Sequence, residues 1–173
     1  MMNKILRMVA IITARGGSKR IPRKNIKDFL GKPILSYPIE AAIQSNLFDE
    51  VMVSTEDLEI AAIAQHYGAK VPFYRSMQTA NDFATTAEVL IEVIKEYEKM
   101  GKSFEWACCL YPTAPFVTAN KLLKAWALLQ STDADALTPV ASFSYPPQRS
   151  FKIRNNYQDF VNYIKHHKIE INV

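Results

Sequence analysis

Hydrophobic positions along the chain switch repeatedly between a continuous or two-residue pattern and a three-to-four-residue pattern. Val9–Thr13 is an apolar, β-branched run that reads as a buried strand and stops at Ala14-Arg15-Gly16-Gly17-Ser18. Phe29-Leu30-Gly31-Lys32-Pro33 carries the Gly and Pro punctuation of a turn. Leu35–Ile43 has apolar residues at helical spacing, with Pro38 tolerated near the first turn. Asp49–Ser54 predicts a second strand, and Thr55-Glu56-Asp57 supplies the cap and early acids of a helix through His66 that Gly68 closes. Lys70–Tyr74 reads as a third strand. A polar loop, Arg75–Asp82, leads to a helix over Thr85–Met100. There Thr85 and Glu88 form a capping box, and Val89, Leu90, Val93, Ile94 and Tyr97 form one stripe. Trp106–Tyr111 is apolar throughout and so reads as a central parallel strand. Thr118–Gln130 predicts a helix with Leu122, Leu123, Trp126 and Leu129 inward, and Ala136–Ser142 a fifth strand.

This alternation predicts an α/β fold: a three-layer, doubly wound, mostly parallel sheet of Rossmann type joined by right-handed crossovers. Ligands of such sheets sit outside the carboxyl ends of the strands, here at the loops that begin at Ala14, Thr55, Arg75, Pro112 and Ser144. Residues 1–154 are expected to form one nucleotide-binding domain and 155–173 an irregular tail.

Composition narrows the class. The chain has 173 residues, 49% hydrophobic and 22% charged, enough for a core that needs no disulfide or metal staple. Cys108 and Cys109 are adjacent in an apolar run, point to opposite strand faces and are expected to be reduced thiols. No run of eighteen apolar residues exists, and Met1–Met8 is too short for a signal peptide. A cytoplasmic protein without membrane contact is the expectation.

Charge then singles out one loop. Six of the 21 basic residues, Arg15, Lys19, Arg20, Arg23, Lys24 and Lys27, follow the first strand, and no acid interrupts them before Asp28. A strand ending in adjacent glycines and a cationic loop suits a triphosphate, because backbone amides and cations can both approach it. The same run also suits a phosphate- or RNA-binding module, although it is a single patch without interleaved aromatics. Lys19, Arg20 and Lys27 can equally be solvated charges. Asp133-x-Asp135 precedes the fifth expected strand, at the end opposite the loops, and reads as a turn more readily than as a metal site. His66, His166 and His167 lack ligand spacing, and the G-x-x-x-x-G-K-[ST] loop of ordinary ATPases is absent.

The motif ARGGSKRIPRKN, together with DEVMVST, Asp82-Phe83-Ala84-Thr85-Thr86 and Leu110-Tyr111-Pro112-Thr113-Ala114-Pro115, resembles the acylneuraminate cytidylyltransferases. Ala107–Tyr111 and Phe143–Ser150 look most like the pseudaminic acid branch, and the motifs run in register from Met8 to Ile153. The resemblance implies a nucleotide-diphospho-sugar transferase-like fold. It also implies a reaction of CTP with a nine-carbon 2-keto sugar acid, giving a CMP-sugar and diphosphate with Mg²⁺. N-acetylneuraminate or a related acid is the alternative sugar. Arg15 and Lys24 would be the catalytic cations. Ala14, Arg15 and the Gly16, Gly17 and Ser18 amides would hold the triphosphate, with Asn25 near the base. Arg75, Asp82, Thr85, Thr86, Pro112 and Thr113 would complete the nucleotide site, Thr85 also serving as a helix cap. Tyr111, Gln148 and Arg149 would meet the sugar, Arg149 through its carboxylate.

Two departures from the family accompany this. Tyr111 stands where sialic acid synthetases commonly have Gln, which implies a different sugar pocket or base contact. The family's metal-holding acidic pair and part of its homodimer interface lie in a segment that nothing in Asn155–Val173 matches, and that stretch has only Asp159 and Glu170 as acids. No metal ligands are therefore assigned. A truncated chain that binds CTP but turns over poorly is the corresponding expectation.

Overall fold

The computed structural model describes residues 4–140, with side chains from Met8 onward. Its centre is a parallel sheet of three strands. β1 (Lys4–Thr13) lies between β4 (Glu50–Ser54) and β5 (Lys102–Leu110). Val9 faces Glu50 and Thr13 faces Ser54 on one side, while Lys4 faces Lys102 and Ile12 faces Leu110 on the other. A two-residue turn joins β2 (Asp28–Phe29) to β3 (Lys32–Pro33), where Leu30 and Gly31 both adopt positive φ. That is the backbone of a type I′ hairpin turn.

The alternation inside β1 divides the core. Ala10, Ile12 and Ala14 face one side and pack with Leu35, Ile39 and Ala42 around α1 (Ser36–Ser45) and with Ile60 and Ala64 of α2 (Leu58–His66). Val9 and Ile11 face the other side and pack, with Met52, on Val93 and Tyr97 of α3 (Thr86–Lys99). α4 (Ala119–Gln130) packs on α1, and its Leu122 joins the first cluster. α1 and α2 connect strands on one side of β1, and α3 leads to the strand on its other side. The winding thus reverses between β1 and β5. A crevice opens at such a reversal, at the carboxyl ends of the two strands.

The helix signals in the sequence are realised at their caps. Asp57 accepts from the Glu59 and Ile60 amides at 3.0 Å each. Thr85 and Glu88 form the reciprocal capping box, and Thr118 caps α4. The strands differ more. β1 begins five residues before the expected Val9. The third strand is reduced to one bridge, Met52 with Lys70. Lys70 donates to Val51 O and accepts from Val53 N, but the next donor position is Pro72, which has no N–H to continue the ladder. Residues 136–140 of the fifth expected strand are not in a strand, and Val140 is 92% exposed. Its last two residues, 141–142, lie outside the described residues. Among the described residues β5 pairs with β1, and Leu123 of α4, expected inward, is exposed. Residues up to Asp135 form one compact unit holding every element named here, and those from Ala136 belong to a second. No described helix is long and apolar enough to cross a membrane.

At the amino end of the sheet, Glu50 is buried, and its carboxylate accepts from Tyr97 Oη at 2.7 Å, Lys102 Nζ at 2.9 Å and Lys70 Nζ at 3.2 Å. Burial alone would push this carboxyl up, but the three hydrogen bonds outweigh it and hold it below its ordinary range. The same burial and the bond to Glu50 push the Tyr97 hydroxyl well above its ordinary value.

Candidate functional site

The crevice at the carboxyl end is a cleft of ≈ 210 Å³. Its lining draws Arg15, Ser18, Lys24 and Asn25 from the β1 loop, Arg75 and Asp82 from the loop before α3, Thr86 from α3 itself, and Tyr111, Pro112 and Thr113 from the end of β5. Ten expected site residues separated by up to about a hundred positions therefore share one surface. Thr13, Thr79, Asn81, Ala84 and Val89 also line it. None of the five carries a charge; Ala84 lies within the recognised Asp82–Thr86 motif and Val89 in the apolar stripe of α3, whereas Thr13, Thr79 and Asn81 belong to no recognised motif.

Two side chains brace the peptide between Arg15 and Gly16. Asn25 Nδ2 donates to Arg15 O at 2.7 Å, and Gly16 N donates to Glu56 Oε1 at 2.7 Å. Each bracing side chain keeps a buried oxygen, Asn25 Oδ1 and Glu56 Oε2, without a hydrogen-bond partner. Asn25 is 4% exposed. An unpaired buried acceptor costs free energy until a donor reaches it, so Asn25 Oδ1 is an acceptor ready for an amino or hydroxyl group in the cleft. Glu56 was not expected, because its partner lies 40 residues away in sequence.

Two of the three expected cradle amides are engaged within the protein. Gly16 N is on Glu56 and Ser18 N donates to Gly16 O at 2.9 Å. Ala14 is fully buried, and its amide donates to Ser54 O at 3.0 Å. Its contribution is to fix where the loop leaves the sheet. Close approach explains only one of the two glycines: a Cβ on Gly16 would lie 2.5 Å from Asp57 Oδ2, whereas one on Gly17 would meet nothing within 4 Å.

The six cations of the opening loop divide into three kinds. Arg23, in the left-handed region at φ 53, forks onto Asp57 (2.5 and 3.1 Å) and also reaches Glu59, clamping the loop to the start of α2. That bond to Arg23 is the chief cause that holds the Asp57 carboxyl below its ordinary range. Arg15 pairs with Asp82 Oδ1 at 2.6 Å, and Lys19 with Asp82 Oδ2 at 2.5 Å. Lys19, first, and then Arg15 lower the Asp82 carboxyl. Lys24 opens a short 3₁₀ turn (Lys24–Ile26) and lines the cleft, while Arg20 and Lys27 are exposed.

Arg75 is 7% exposed and held from behind: Nε donates to Ser54 Oγ at 3.0 Å and an Nη to Ser54 O at 2.7 Å. Burial lowers its pKa, against the pull of Glu56 and Glu92. Thr86 Oγ1 lies 3.3 Å from Tyr111 Oη at the cleft mouth, where Tyr111 is 59% exposed. Thr85 is occupied as the α3 cap and does not line the cleft. Gln148 and Arg149 lie outside the described residues.

A divalent ion finds a poor fit here. Among the described residues no group of three or more His, Cys, Asp or Glu side chains can hold a metal, and the single carboxylate in the cleft, Asp82, already carries two cations. Magnesium prefers several oxygen ligands in a near-octahedral shell. No chemical step is assigned to a metal for that reason.

The chain has clear relatives among known proteins. The chain is similar to the pseudaminic acid cytidylyltransferase of Campylobacter jejuni subsp. jejuni serotype O:2, at 42% identity over 94% of this chain and 70% of that protein. It is 40% identical to the CMP-N,N'-diacetyllegionaminic acid synthase of Legionella pneumophila subsp. pneumophila over 64% of this chain and 48% of that protein. Among solved structures, a CMP:2-keto-3-deoxy-manno-octonic acid synthetase complexed with CTP superposes with TM-score 0.60 at 26% identity. It shares 74% of this chain, which spans about half (49%) of that one. The cytidylyltransferase family model matches residues 9–171, past Ile153 and into the stretch where no motif was recognised. The fold, the cleft and these likenesses together place the chain in the cytidylyltransferase family.

Proposed function

We propose that the chain activates a nine-carbon 2-keto sugar acid with CTP, giving the CMP-sugar and diphosphate, and that the acid is pseudaminic acid. The observation that carries the reading is the convergence of Arg15, Lys24, Asn25 and Arg75 on one cleft at the reversal of the winding, in a chain 42% identical to a pseudaminic acid cytidylyltransferase.

In this reading the sugar's anomeric hydroxyl forms a bond to the α-phosphorus and releases its proton, while the bond to the diphosphate oxygen breaks. Such transfers depend on positioning and on neutralising charge. Arg15 exchanges the Asp82 carboxylate for phosphate oxygens, which its planar fork can meet in pairs. Lys24 faces the charge that builds on the departing diphosphate. Asn25 Oδ1 accepts from the base, and its Nδ2 keeps Arg15 in place through the Arg15 carbonyl. Arg75, fixed on Ser54, presents a rigid cation to the nucleotide. With the Gly16 and Ser18 amides engaged, the side-chain cations carry most of the phosphate binding.

Tyr111 stands at the mouth with Thr86 and is the proposed determinant of the sugar, with Gln148 and Arg149 as its further contacts and Arg149 as the partner of the sugar carboxylate. Diphosphate release tests the reading. CTP with pseudaminic acid should release diphosphate above a control without sugar, and N-acetylneuraminic acid should release less. Equal release with both acids would remove the sugar assignment. CTP binding without release would leave a binding protein and reject the transferase.

A further inference from the structure

The loop between Arg75 and Thr85 forms one wall of the cleft, yet it lacks regular structure over its nine residues. Its ends are fixed, at Arg75 by Ser54 and at Thr85 by the capping box of α3. Between these ends, one carboxylate holds it. Glu92 lies one helical turn beyond Glu88, on the same face of α3, and takes three donors from the loop. Ser76 N donates to Oε1 at 2.7 Å, Ser76 Oγ to Oε2 at 3.1 Å, and Thr79 Oγ1 also to Oε2. Hydrogen bonds to a charged acceptor are stronger than neutral ones. Within the loop, Asn81 Oδ1 accepts from the Phe83 and Ala84 amides and its Nδ2 donates to Gln78 O, so residues 78–84 are tied to one another. Glu92 seats that tied segment on the helix.

We propose that Glu92 is a positioning residue: by seating the 76–84 loop it places Thr79, Asn81 and Asp82 against the opening loop and so sets the affinity of the cleft for a cytidine nucleotide. The clause about affinity rests on the function proposed above. Asp82 links the two loops directly, through Arg15 and Lys19. A loop that leaves Glu92 takes Thr79, Asn81 and Asp82 from the cleft wall and breaks the Lys19–Asp82 link, which remains when Arg15 turns to phosphate. Glu92 itself does not line the cleft, and its part is carried by the residues it holds.

The experiment uses the full chain with Glu92→Ala, Glu92→Gln and, as a matched control one turn further along α3, Glu96→Gln. Amide hydrogen exchange over residues 76–84 reads the seating without nucleotide, and titration with CTP reads the affinity. Glu92→Ala should raise loop exchange and the CTP dissociation constant about tenfold each, on the scale of lost charged hydrogen bonds. Protection in β1 and α3 should stay unchanged. Glu92→Gln keeps one carbonyl acceptor and should recover part of both effects, and Glu96→Gln should alter neither. Unchanged loop exchange in Glu92→Ala overturns the proposal. So does faster loop exchange with CTP affinity intact, or a loss of protection spread evenly over the sheet. If the unsubstituted chain does not bind CTP, the proposed function falls, and the exchange arm alone decides whether Glu92 seats the loop.

Discussion

The two ends of the sheet both hold clusters of charge, and they use it differently. At the amino end one buried carboxylate, Glu50, is surrounded by three donors from α3, β5 and the Lys70 segment. At the carboxyl end the charges are paired less completely. Arg15 and Asp82 are each about a third exposed, and Asn25 Oδ1 and Glu56 Oε2 are buried without partners. A saturated cluster resists exchange, because any new ligand must replace bonds already made. A partly exposed pair beside unpaired acceptors gains from a ligand that supplies anions and donors. Charge density alone therefore does not locate the site. Exposure and unmet hydrogen bonds do.

The largest effect expected from breaking this contrast is on stability. Glu50→Ala removes the shared acceptor and strands the buried Tyr97 hydroxyl, and should cost about 2–4 kcal/mol in chemical denaturation. CTP affinity of the folded fraction should hardly change. The pH dependence follows from the same residue. Its folded carboxyl is held below the ordinary range, so its contribution is present above the unfolded value of about 4.3 and is lost as pH falls through the lower folded value. Glu50→Gln should accordingly flatten the fall of the denaturation midpoint below about pH 5. An unchanged slope would mean that other carboxylates carry it.

At the other end the expectation is reversed. Arg15→Ala should weaken CTP binding by about 1.5–3 kcal/mol and change stability by less than about 1 kcal/mol, because its ion pair is partly solvated. Smaller again is the difference between the paired glycines. Gly16→Ala drives a Cβ into the Asp57 carboxylate and should cost about 1–2 kcal/mol with a shift of the Arg23 clamp. Gly17→Ala should stay within about 0.5 kcal/mol. Equal effects at the two positions, read as melting temperatures, would contradict the close approach at Gly16.

How much of this was legible beforehand depended on whether a feature is local. Asp57 and Thr85 announced their helices because a cap and its amides lie within three residues. The apolar run Val9–Thr13 announced a buried strand, and in the fold its alternation divides the core between two faces. The third strand failed at Pro72, whose missing N–H was visible in the sequence but outweighed by its apolar neighbours. The apolar run of β5 announced a parallel strand, and it pairs in parallel with β1. In the site, the charged and motif-bearing residues were legible. The occupied amides of Gly16 and Ser18 were not, because Glu56 reaches Gly16 only in the fold. Arg23 belonged to a cationic loop in the sequence and proves to be a clamp on α2.

Titration calorimetry with CTP on the full chain, beside Arg15→Ala and Glu50→Gln, tests the central claim most directly. The account predicts saturable binding that Arg15→Ala weakens at least about tenfold and Glu50→Gln leaves within about twofold. Absent binding, or binding that Arg15→Ala leaves intact, would contradict the assignment of the nucleotide to the cleft between β1 and β5.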